Sequence, residues 1–113
     1  MIIQAKDLLE KLGNHSEQYM TIIIQDVESK RYSIYYMNLI TYENKDIIID
    51  IIRQKKFFST REVYDTISHF CKENTNSVLK LKLPEGQLID NCQFWDVLSP
   101  VENNLSLILG VQN

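Results

Sequence analysis

The spacing of hydrophobic positions changes along the chain, and the changes mark out its elements. Between Gln4 and Leu12, Leu8, Leu9 and Leu12 fall at i, i+1 and i+4 with Ala5 on the same side, the stripe of a short amphipathic helix. Gly13-Asn14 follows, and both residues tolerate the left-handed backbone that ends helices. Tyr19 to Gln25 contains the β-branched run Thr21-Ile22-Ile23-Ile24, which disfavours helix and suits a strand covered on both faces. Polar residues from Asp26 to Lys30 predict a hairpin loop, and Arg31 to Tyr42 a longer strand. Strict alternation puts Tyr32, Ile34, Tyr36, Ile40 and Tyr42 on one face of that strand, and Tyr35, Met37 and Leu39 on the other. Glu43-Asn44-Lys45-Asp46 turns the chain into a third strand, Ile47 to Ile51.

The pattern then repeats. Ser59-Thr60-Arg61-Glu62 reads as a capping box, with the Ser59 hydroxyl taking a backbone N–H and Glu62 reaching back to the Ser59 N–H. The helix it starts runs to about Lys72, with Val63, Ile67, Phe70 and Cys71 inward. Val78 to Leu83 alternates Leu with Lys, Pro84-Glu85-Gly86 signals a turn, and Gln87 to Leu98 reads as a long strand, irregular near Asp90-Asn91. Ser99 to Asn104 reads as loop and Leu105 to Val111 as the last strand.

The expected fold class is α+β, built as two αβββ halves, with two short helices on one or two mainly antiparallel sheets of about six strands. An offset of 55 aligns Lys6-Asp7-Leu8 with Arg61-Glu62-Val63, and Ile34, Met37, Asn38 and Leu39 with Ile89, Cys92, Gln93 and Phe94. An offset of 58 aligns Ile47, Ile49 and Ile51 with Leu105, Leu107 and Leu109. Identical residues are nearly absent, so the similarity is one of pattern, and an internal duplication is an expectation. Length predicts a single domain over 1–113, with sub-units 1–52 and 58–113 joined by a short basic linker, 53–57.

Composition narrows function mainly by exclusion. The net charge is −3, and the acidity lies in the second half, where 4 Lys and Arg face 7 Asp and Glu. That argues against non-specific binding to nucleic acid, which needs a basic face. No apolar run is long enough to span a membrane, and no signal peptide is visible, so a cytoplasmic protein is expected. Cys71 and Cys92 have no metal-ligand spacing, and two free thiols in a reducing compartment is the simplest reading.

Candidate chemistry is sparse. His69 lies two residues from Cys71, a spacing that points them to different sides of a helix, and His15 falls in a polar loop. Gly13, Gly86 and Gly110 are the only glycines, and none begins a predicted helix, so a phosphate cradle is not expected. No cofactor, metal or catalytic residue is predicted, and the chain is read as a non-enzyme. Asp50 interrupts the isoleucine strand and is read as facing solvent.

Two stretches invite a binding role. Tyrosines cluster in the first half, and tyrosine suits protein contacts because it joins a large apolar body to a polar tip. Tyr35, Tyr36 and Tyr42, with Trp95 as an anchor, are the expected protein-binding residues. Arg53, Lys55, Lys56 and Arg61 surround Phe57-Phe58, a mix of charge and stacking that can hold single-stranded nucleic acid. The expected function is a small non-catalytic protein-binding module, such as an inhibitor, immunity-type or accessory protein, whose partner is another protein. The alternatives are a ligand-binding or enzymatic domain with a cleft between the halves, and a weak single-stranded nucleic-acid binder through 53–61. A pseudo-symmetric domain also lends itself to homodimerisation.

Overall fold

The computed structural model describes residues 4–12, 18–26, 28–72, 76–90, 92–101 and 104–111; for 92–101, 104 and 111 it describes the backbone. The elements are α1 (Ala5–Leu12), β1 (Tyr19–Asp26), β2 (Tyr32–Glu43), β3 (Asp46–Ile52), α2 (Thr60–Cys71), β4 (Leu79–Lys82), β5 (Leu88–Ile89), β6 (Cys92–Val101) and β7 (Asn104–Val111). The α+β class holds, with two helices against a single mixed sheet ordered β5-β4-β3-β2-β1-β7-β6.

The two halves are interleaved in this sheet. The meander β1-β2-β3 sits at its centre, and strands of the second half flank it on both sides. The joins are parallel: β3 pairs with β4 from Ile47↔Leu79 to Asp50↔Lys82, and β1 pairs with β7 from Tyr19↔Asn104 to Asp26↔Val111. β1–β2, β2–β3, β4–β5 and β6–β7 are antiparallel. Thus β1, β3, β4 and β7 run one way and β2, β5 and β6 the other.

The edges of the sheet belong to one chain run. β5 ends at Ile89 and β6 begins at Cys92, so three Cα steps, at most about 11 Å, separate opposite ends of the strand order. The sheet therefore rolls into a barrel-like shape, and β4 also lies in contact with β6. Inward positions alternate along each strand and form one core, including Met20, Ile22, Ile47, Ile49, Leu79, Leu81, Leu105 and Leu107. Each such fully buried Leu or Ile contributes roughly 1.5–3 kcal/mol.

Both helices start where β1 and β4 begin. The Ala5 amide donates to Ser77 O (2.9 Å) and the Thr60 amide to Gln18 O (2.7 Å). Single β-bridges, Gln4↔Val78 and Tyr19↔Ser59, hold the same two corners. Ala5, Leu8 and Leu12 of α1 and Val63 and Ile67 of α2 complete the core at this end, and the helices pack on each other. Ser59 Oγ accepts from the Glu62 amide at 3.1 Å, as the capping box predicts, but the Glu62 carboxylate lies 3.3 Å from the Ser59 hydroxyl and takes that donor.

The halves correspond in pairing. Advancing β3 by 58 residues turns Ile47↔Leu79 and Ile49↔Leu81 into Leu105↔Met20 and Leu107↔Ile22, the β7–β1 ladder. A register shift falls between Met37 and Leu39, opposite Ile51 and Asp50, and another between Phe94 and Asp96, opposite Leu109 and Ile108. Met37 thus corresponds to Phe94, whereas the offset of 55 had matched it with Cys92; the break between β5 and β6 adds residues to the second half. These are correspondences of backbone geometry, and they leave the expected duplication unconfirmed.

Two further expectations need correction. Ser99 to Val101 belong to β6 instead of a loop, with Pro100 inside the register shift between Leu98 and Val101, where a missing amide is tolerated. The β2 bulge at Asn38 inserts one residue into the alternation, so Tyr35, Met37 and Ile40 all point inward. Strict alternation had placed Ile40 with Tyr32, Ile34 and Tyr36, which the bulge leaves on the outer face.

The β2–β3 hairpin turns at Asn44 (φ 52°) and Lys45 (φ 68°), both left-handed as a two-residue turn of primed type requires. Asn tolerates this conformation and Lys does not. Lys45→Gly is expected to raise unfolding free energy by about 0.5–1 kcal/mol. Ser59→Ala is expected to lower it by about 1 kcal/mol through loss of the α2 cap. Urea denaturation followed by circular dichroism measures both.

Candidate functional site

The outer face of β1–β3 brings the tyrosine strand and the basic linker together. After Ile52 the chain crosses the outside of β2 and arrives beside the start of β1, where Phe58 O accepts from the Met20 amide at 2.9 Å. On the way the Lys56 ammonium donates to Asn38 O (3.1 Å) and Asn38 Oδ1 (2.7 Å). Asn38, the bulge residue, also donates from Nδ2 to Asp50 Oδ2 at 3.2 Å. Phe57 tilts against the Tyr19 ring, 4.8 Å between centroids, and the Lys55 ammonium lies 5.2 Å from the Phe57 ring centre.

Beside this crossing the outer face is apolar. Register sets Ile23 opposite Ile34, Thr21 opposite Tyr36, and Tyr36 opposite Ile52. Ile34 is 50% exposed, Leu39 53% and Tyr32 65%, while Ile23, Tyr36 and Ile52 are half-buried. Phe57 at the rim is 62% exposed. Exposed apolar side chains grouped on one sheet face mark an interaction surface more specifically than isolated ones do. The Lys56–Asn38–Asp50 hydrogen bonds divide Leu39 from Ile34 and Tyr36.

The residues expected to bind protein do not gather on that face. Tyr35 is 7% exposed and belongs to the core, pointing inward and away from the outer face. Tyr42 is half-buried against the core and stacks on Phe70 of α2, 5.2 Å between centroids. Tyr36 lies on the outer face. Trp95 occupies the β6 register shift, and its side chain lies outside the described residues, as does His15. Ile34, Leu39 and the Tyr19–Phe57 pair were not singled out, because the bulge and the path of the linker leave no mark in the spacing of the residues.

The four cations considered for nucleic acid are dispersed. Arg53 pairs with Glu85 at 2.6 Å, its guanidinium 5.5 Å from the Tyr35 ring centre, and Arg61 faces Asp65 at 3.9 Å on α2. Lys56 is held by Asn38, which leaves Lys55 over Phe57. No continuous basic track joins them.

Other chemistry is limited. Among the described residues no group of three or more His, Cys, Asp or Glu side chains could hold a metal ion. No helix among them is long and apolar enough to cross a membrane. Lys80 bonds Asp46 at 2.9 Å, and that bond raises the lysine pKa; the pair's contribution is therefore present below the unfolded lysine value and lost as pH rises through the folded one. A shallow cleft of about 240 Å³ borders this pair, and a larger cavity of about 600 Å³ opens between the β1–β2 and β4–β5 hairpins. Comparison of the chain with family models, curated proteins and solved structures finds no match.

Cys71 is half-buried on α2, and desolvation pushes its thiol pKa up. The thiolate is the reactive form, so the folded protein at pH 8 should react with iodoacetamide more slowly than the same thiol in urea. Mass spectrometry of a Cys92→Ser variant reads this rate; equal rates folded and unfolded would contradict it.

Proposed function

We propose that the chain is a small non-catalytic protein-binding module, of the inhibitor, immunity or accessory kind, whose contact is the outer face of β1–β3. The observation that carries this reading is the apolar group Tyr32, Ile34 and Tyr36, continued sideways by Ile23 and Ile52, with Leu39 on the far side of the Lys56–Asn38 bonds and Lys55 at the border. Apolar and aromatic side chains at the centre with charge at the rim is the usual anatomy of such contacts. The linker fixes the rim, because Lys56 is tied to the β2 bulge. The partner this face fits has an apolar ridge with acidic residues beside it, able to meet the lysines. A reducing, cytoplasmic setting is part of the proposal, supported by Cys71 as a free thiol.

Photo-crosslinking from defined positions tests the surface. A benzophenone amino acid placed at Leu39 or Ile34 should yield one discrete heterologous adduct in extract of the source cells. The same group at Lys72 should yield none. Ile34→Asp, on an exposed position that leaves the core intact, should abolish the adduct from Leu39. Adducts of equal yield from Lys72, the absence of any adduct, or an adduct of the chain with itself alone would each overturn the proposal.

A further inference from the structure

Among the described residues, helices close the barrel-like sheet at one end only. α1 and α2 cover the end where β1 and β4 begin, and the β1–β2 and β4–β5 hairpins stand at the other. Burial falls toward the hairpins: Met20 and Ile22 of β1 are buried but Ile24 is half-exposed, and Leu79 and Leu81 are buried but Leu83 is half-exposed. Between the hairpins lies the cavity of about 600 Å³. Small-molecule sites commonly span about 300–1,000 Å³.

The cavity has an apolar floor and a polar rim. Its floor is Ile24, Tyr35, Leu83 and Ile89, two from each half. Ile22↔Tyr35 in the first half corresponds to Leu81↔Ile89 in the second, so Tyr35 and Ile89 face each other across the mouth as equivalents. The polar lining groups, Asp26, Ser29, Arg31 and Ser33, come from the first hairpin. The Arg53 guanidinium lies 5.5 Å from the Tyr35 ring centre, but it is held by Glu85 of the opposite turn at 2.6 Å.

The rim groups differ in what they have left to offer. Asp26 Oδ1 accepts from the Glu28 amide at 2.9 Å, so one oxygen of that carboxylate is engaged within its own loop. Ser29 Oγ accepts from the Arg31 amide at 3.3 Å. Among the described residues no carboxylate pairs with the Arg31 guanidinium, in contrast to Arg53 and Arg61. A guanidinium offers a fork of donors that matches a carboxylate and supplies no acceptor.

The geometry points to a second binding site, independent of the outer face: the mouth of the rolled sheet takes a small amphiphilic carboxylate, its apolar body on Ile24, Tyr35, Leu83 and Ile89 and its head on Arg31. The Ser33 hydroxyl lies on the same rim and can donate to the second carboxylate oxygen. Most of the floor is built from paired strand residues, and Arg31 immediately precedes β2.

Titration with decanoate, 1-decanol, decyltrimethylammonium and acetate, followed by amide chemical shifts, tests the site. Decanoate should saturate one site, with shifts at Ile24, Ser33, Tyr35, Leu83 and Ile89. Decanol and the ammonium should bind about tenfold or more weakly, and acetate should not bind. Arg31→Met should weaken decanoate by about tenfold to a hundredfold while leaving decanol unchanged, a comparison that also reports on folding of the variant. Lack of saturable decanoate binding would overturn the inference. So would equal affinity for decanol, an Arg31→Met variant that binds decanoate normally, or shifts confined to Ile34 and Leu39 on the outer face.

Discussion

The two parallel ladders, β3–β4 and β1–β7, are the constraint on which everything else rests. Each joins a strand of the first half to one of the second, and together they place the first meander inside the second half's strands. A parallel pair cannot be made by a tight turn; it needs a crossover, and here the β3–β4 crossover carries α2, while β1 and β7 are linked through all the elements between them. α2 arrives by its crossover, and α1 by preceding β1, at the end of the roll where β1 and β4 start, bound there by the Ala5–Ser77 and Thr60–Gln18 hydrogen bonds. Removing either ladder would expose inward Leu and Ile rows from both halves at once.

Closure also creates the two surfaces proposed to bind a partner and a ligand. Rolling the sheet gives it an inside, filled by the core, and a mouth at the hairpins that no helix reaches. It also gives an outside, which the linker from Ile52 to Phe58 has to cross in order to start α2. That crossing fixes Lys56 on the Asn38 bulge and lays Phe57 against Tyr19. The apolar stripe of β2 runs on from there uncovered by any other described element. Protein contact and ligand capture would thus occupy different sides of the same strand, since Ile34 and Tyr36 face out while Tyr35 between them faces the mouth.

Much of the fold was legible in the residue pattern because it is local. Helix faces, the Asn44-Lys45 turn, the Pro84-Glu85-Gly86 turn and all the longer strands follow from periodicity and turn chemistry within a few residues. What was not legible is non-local. Strand order depends on which apolar faces meet, and the binary pattern of a meander is the same whether its neighbours are its own half or the other. The bulge at Asn38 changes which side every later residue of β2 faces, yet asparagine at that position signals nothing by itself. For that reason alternation groups Leu39 with Tyr35 and Met37, and Ile40 with Ile34 and Tyr36. Tyr35 precedes the bulge, and its burial was missed because both faces of β2 carry apolar residues and alternation alone does not say which is inward. The path of residues 53–57 over the outer face depends on the tertiary positions of Ile52 and Met20.

The interleaving is tested most directly by native-state hydrogen exchange in increasing denaturant. Ladder amides of both halves, at Ile22, Ile49, Leu81 and Leu107, should converge on one opening with the free energy of global unfolding, because neither half retains its buried rows without the other. Amides of β4, β6 and β7 opening together at markedly lower free energy, while β1–β3 stay protected, would contradict the account.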